Sequence, residues 1–80
     1  MEYNHYKKDV RHLDFIDVYR VLDLFGVKDQ AVGHAIKKLL CAGDRGSKDY
    51  EQDIKEATDT LLRREKMKEE DTKIIQISID

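Results

Sequence analysis

The sequence predicts an all-α fold: a three-helix small domain with an extended C-terminal strand, assembled as a homo-oligomer. Three observations carry this. Apolar residues recur at helical spacing from Phe15 to Leu61, and no proline interrupts them. Asp, Ser and Gly residues stand where helices begin and end. The last nine residues change to a period of two, which is a strand pattern.

Composition narrows the class. Eighty residues make one domain at most, and a chain this short buries about 60% of its unfolded surface, which leaves a lone monomer marginal. Charged residues and hydrophobic residues are each 40% of the chain, a mixture that suits amphipathic helices rather than disorder. Fifteen basic against 17 acidic residues give a formal charge of −2, which excludes a generally basic nucleic-acid-binding coat. The single cysteine, Cys41, excludes an internal disulfide and a Cys-rich zinc module. No apolar run approaches the roughly 20 residues needed to cross a membrane, and residues 1–9 lack a signal-peptide core. The expectation is a cytoplasmic protein with no membrane partner. No linker or repeat divides the chain, so it reads as one domain over 1–80: an arm at 1–13, a helical core at 14–70 and a strand or arm at 72–80.

The first helix is expected to start after Asp14 as N-cap. Phe15, Val18, Leu22 and Phe25 form its stripe, with Ile16, Val21 and Leu24 widening it. Asp17 and Arg20, three apart, are placed to pair on its solvent side, and Gly26 suits the left-handed position past its end. The second helix is expected at about 30–42 with Asp29 as cap. Val32, Ala35, Ile36, Leu39 and Leu40 make its core face, and His34, Lys37, Lys38 and Cys41 form a second stripe. Gly33 inside it costs about 1 kcal/mol against alanine and permits close approach by another backbone or a ligand. A glycine-containing loop at 43–48 precedes a third helix at about 50–70, capped by Ser47 or Asp49. Tyr50, Ile54, Ala57 and Leu61 form a short seam. In the tail, Ile75, Ile77 and Ile79 alternate with Gln76 and Ser78. A lone strand needs a partner, so this tail points to self-association or to another chain.

The candidate chemistry is anion binding. Lys37 and Lys38 end the second helix, and Arg45, Ser47 and Lys48 lie in the loop that opens the third, whose first amides can take an oxyanion. Gly43 and Gly46 permit the backbone turns that aim such amides. The alternative is a plain turn with lysines complementing a helix end, since the Walker spacing is absent. His5 and Tyr6, with Tyr3, make an aromatic arm able to stack on a base or to pack on the first helix. His5, His12 and His34 have no neighbours at metal-ligand spacing, so no metal and no cofactor is expected. The acid pairs Asp14/Asp17, Asp53/Glu56 and Glu56/Asp59 read as solvated faces, no serine sits in a nucleophile elbow, and Cys41 reads as a packing residue.

Several short motifs stand in order: N-H-Y at 4–6, I-D-V at 16–18, G-H-A-I-K-K-L at 33–39, A-G-x-R-G-x-K-D at 42–49, D-I-K-E-A at 53–57 and L-x-R at 62–64. This order resembles a family of small helical bacteriophage domains, of unknown function or labelled "nucleotide kinase" because a related domain occurs in a phage nucleotide kinase. The likeness spans about 4–64. His34 stands where that family often has Asn, Lys38 where it often has an aromatic residue, and the Ile-rich tail lies outside the pattern. The resemblance implies a phage protein that binds a nucleotide or another phosphorylated small molecule. It would sequester a host signalling nucleotide between subunits without catalysis, as an anti-defence sponge. The ligand-binding residues on this reading are His5, Tyr6, His34, Lys37, Lys38, Arg45, Ser47 and Lys48. Two rivals stand beside it: a protein-interaction module that inhibits a host enzyme, and a kinase-like enzyme acting on nucleotides.

Overall fold

A computed structural model describes residues 5–44 and 47–79, with side chains at 5–44 and 49–73. Among these residues the chain forms α1 (Val18–Leu24), α2 (Gln30–Leu40) and α3 (Ser47–Ile79). The all-α expectation holds at that level.

The start of α1 is one cap later than expected. Asp17, in extended backbone, accepts the Arg20 N–H at 2.8 Å, so the helix begins at Val18 and Phe15 and Ile16 fall outside it, both exposed. That cap role takes Asp17 away from the expected ion pair. The Arg20 guanidinium instead reaches Asp23 at 3.4 Å. The helix ends as Gly26 predicts. With φ at 67°, Gly26 donates to the Asp23 carbonyl, Val27 donates to the Leu22 carbonyl at 2.9 Å, and the last carbonyls are thereby satisfied.

Asp29 caps α2 as expected: its Oδ1 accepts the amides of Ala31 and Val32. Gly33 faces α1, and a β-carbon there would lie 3.7 Å from Leu22 Cδ1 and 3.9 Å from Val27 Cγ1. The close approach expected of this glycine is therefore present. Lys8 lies over the Phe25 ring at 5.3 Å, which brings the N-terminal arm to the far end of α1.

After α2 the chain turns at Gly43, whose φ is 80°, and runs back as α3. Helix α3 packs chiefly on α2, and α1 touches α2 lightly. Ala35 and Ala57, each 2% exposed, mark the line of contact. Among the described residues no large apolar side chain is fully buried. The helices lie side by side in one layer, with overall extents of 55 × 40 × 16 Å.

The C-terminal strand is overturned, because α3 continues without a break through Ile79. No Gly or Pro follows Gly46, so nothing in residues 47–79 stops the helix. A helix satisfies its backbone within one chain, whereas a strand requires a partner that one chain does not supply. The side chains of Ile75, Ile77 and Ile79 lie outside the described set.

Candidate functional site

The second stripe of α2 and the start of α3 meet in a cleft of about 430 Å³, lined by Val18, His34, Lys37, Lys38, Cys41, Asp44 and Asp53. Three of the residues expected to bind a ligand, His34, Lys37 and Lys38, thus share one cavity. Helical periodicity puts them there, since positions 34, 37, 38 and 41 occupy one flank of α2.

The two lysines differ in surroundings. The Lys38 ammonium lies 2.6 Å from Glu56 Oε2 and 3.8 Å from Asp53 Oδ1. The Asp53 side chain is 7% exposed, and its Oδ2 also accepts the Gly43 amide at 3.4 Å. Asp53 and Glu56 are therefore not the solvated face that their spacing alone suggests. They hold α3 to α2 and to the loop behind it. Lys37 points instead toward α1, with its ammonium 5.0 Å from the centre of the Tyr19 ring and 3.5 Å from the phenol oxygen. Among the described residues no carboxylate pairs with the Lys37 ammonium. Tyr19 itself is well exposed. Sequence reasoning missed it because it lies off the apolar stripe of α1. Its spacing from Lys37 becomes meaningful only once α1 folds back on α2.

The other expected residues lie elsewhere. His5 and Tyr6 are exposed, with ring centroids 4.1 Å apart and planes tilted by 48°, and they do not line the cleft. Arg45 and Tyr3 lie outside the described residues. Ser47 and Lys48 open α3, and their side chains are outside the described set. Cys41 is exposed rather than packed and forms part of the cleft wall. Among the described residues no three His, Cys, Asp or Glu side chains converge in a way that would hold a metal ion. No helix among them is long and apolar enough to cross a membrane.

A larger cavity, about 730 Å³, lies at the other end of the α2–α3 pair beside Asp29, Arg64, Met67 and Asp71. Two of its charged groups are engaged structurally. Arg64 Nε donates to Asp29 Oδ2 at 2.7 Å, while Asp29 Oδ1 caps α2. The smaller cleft combines a presented cation, a histidine and an apolar wall, so it is the better candidate. No family model, curated protein or solved structure matches this chain.

Proposed function

We propose that this chain binds a nucleotide or another phosphorylated small molecule without catalysis. It does so as a cytoplasmic homo-oligomer of the bacteriophage type that its motifs resemble, sequestering a host signalling nucleotide. The observation that carries the reading is the gathering of His34, Lys37 and Lys38 along one cleft beside the turn into α3. A phosphoryl group there meets Lys37 first, while His34 donates or accepts a hydrogen bond and the Tyr19 ring beside Lys37 offers a stacking face. Lys38 takes part only by sharing its ammonium with Glu56 and Asp53, so its contribution is smaller. On this reading Arg45, with Ser47 and Lys48 at the start of α3, extends the anion site, while His5 and Tyr6, which lie off the cleft, join it only by movement of the arm.

The test is calorimetry and thermal melting with mono-, di- and cyclic nucleotides. A ligand at 100 times its Kd raises stability by about 2.7 kcal/mol. Lys37→Ala is expected to weaken binding by about 1.5–3 kcal/mol, the range for hydrogen bonds to charged groups. Recovery of the nucleotide unchanged supports sequestration, and its conversion in the presence of magnesium supports the kinase-like reading. If no nucleotide shifts the melting temperature, the reading fails. The exposed apolar side chains would then favour the alternative, a module that inhibits a host enzyme.

A further inference from the structure

The single-layer architecture has two unlike faces. On α2, helical periodicity puts His34 and Lys38 to one side of the contact residue Ala35, and Ile36, Leu39 and Leu40 to the other. On α3, Asp53 and Glu56 lie to one side of Ala57, and Leu61 and Leu62 to the other, with Tyr50 close to the seam on that same side. The Lys38–Glu56 ion pair shows which flanks lie together: the cleft face is built from both polar flanks. The two remaining flanks therefore share the opposite face, and it is apolar. Leu39, Leu40, Tyr50, Leu61 and Leu62 are 40–62% exposed on it.

The chain also exposes far more surface than its size requires. A compact monomer of 9.4 kDa exposes about 5000 Å². This chain exposes 7009 Å². The surplus is about 2000 Å², against the roughly 800 Å² that each partner contributes to a stable interface. Part of that surplus belongs to the projecting end of α3, and the exposed leucines of the apolar face contribute to the rest. The radius of gyration, 17.2 Å, likewise exceeds the roughly 12 Å of a compact 80-residue domain. Stable domains have two packed layers around a core, and this chain supplies one.

We infer that the second layer is another copy of this chain, seated face to face on the surface formed by Ile36, Leu39, Leu40, Tyr50, Leu61 and Leu62. The same patch serves both copies, as two-fold symmetry requires. The α2–α3 pairs of the two copies form a four-helix core, and each cleft, on the opposite face, stays open. This rests on the homo-oligomeric part of the proposed function and is independent of the ligand.

Sedimentation of the full chain at tens of micromolar should give a dimer or a multiple of it. Leu39→Glu/Leu61→Glu should shift the mass toward 9.4 kDa, whereas Met67→Glu, a comparably exposed apolar site on the opposite flank of α3, should leave it unchanged. Because two charges at the seam can unfold the double variant, a second measurement uses a nitroxide on Lys55→Cys, at the rim of the face, in a Cys41→Ser chain mixed with isotope-labelled wild type. Broadening of the Ile36, Leu39 and Leu40 signals between chains supports the interface. A monomeric wild type overturns both this inference and the homo-oligomeric reading, leaving the ligand reading untouched. An oligomer that survives Leu39→Glu/Leu61→Glu, with broadening confined to other faces, overturns this interface alone.

Discussion

Asp29 and Arg64, 35 residues apart, share a hydrogen-bonded ion pair of 2.7 Å, and the same carboxylate caps α2 with its other oxygen. One side chain therefore sets where α2 begins and which part of α3 lies against it. The Arg64 guanidinium, and then the Val32 amide, hold the Asp29 carboxyl below its ordinary value. The pair is partly exposed, so added salt weakens it.

That lowered carboxyl fixes a pH dependence. The unfolded chain takes up the Asp29 proton at a higher pH than the folded chain does. The stabilisation is therefore fully present above the ordinary carboxylate range, near pH 4, and is lost as pH falls below it. Melting temperatures measured from pH 7 to pH 2.5 should fall more steeply for wild type than for Asp29→Asn. Parallel curves would remove Asp29 from the acid response.

Lys38→Ala leaves the buried Asp53 without the ammonium beside it. A loss of about 1–3 kcal/mol is expected, as for a buried charged group that loses one of the groups satisfying it. Lys38→Ala/Asp53→Asn should recover part of it in denaturant titrations. No recovery would mean that Lys38 acts through Glu56 alone.

Three glycines should respond in opposite directions. Gly33→Ala places its methyl in ordinary contact with Leu22 and Val27, so the gain in helix propensity prevails and stability should rise by about 0.5–1 kcal/mol. Gly26→Ala has open space but a left-handed backbone and should cost about 1–2 kcal/mol. Gly43→Ala adds contacts of 3.0 and 3.2 Å with Tyr50 to the same backbone strain and should cost more than Gly26→Ala. Chemical denaturation of the three variants tests this order.

Tyr6→Ala should change stability by less than about 0.5 kcal/mol, because the residue is 77% exposed and its ring lies tilted against exposed His5. Melting measured beside nucleotide affinity distinguishes the roles of the arm. Unchanged melting with weaker binding assigns the ring to the ligand, and the reverse assigns it to packing.

Helix ends with a local chemical cause were legible in the sequence. Asp29 capping and the left-handed Gly26 depend on a few neighbouring residues, and the spacing of His34, Lys37 and Lys38 is enough to put them on one flank. Features that depend on a second element were not. Asp14 and Asp17 are equally good caps in isolation, and only the fold of the 10–17 segment selects Asp17. The acids at 53 and 56 resemble any exposed pair until Lys38 is opposite them. The alternating isoleucines fit a strand only if a partner is assumed, and α3 runs through them.

The end of α3 beyond Arg64 gives the molecule a gradient of local stability. Past that residue α3 outruns α2, and about 15 residues project roughly 22 Å at 1.5 Å per residue. A helix of that length is marginal on its own in water. Amide hydrogens near Asp53 and Ala57 should exchange only when the α2–α3 pair opens, while those after Glu65 exchange through fraying from the end. Proteases should accordingly trim α3 from its C-terminal end and stall near Arg64, where the ion pair to Asp29 holds it against the body.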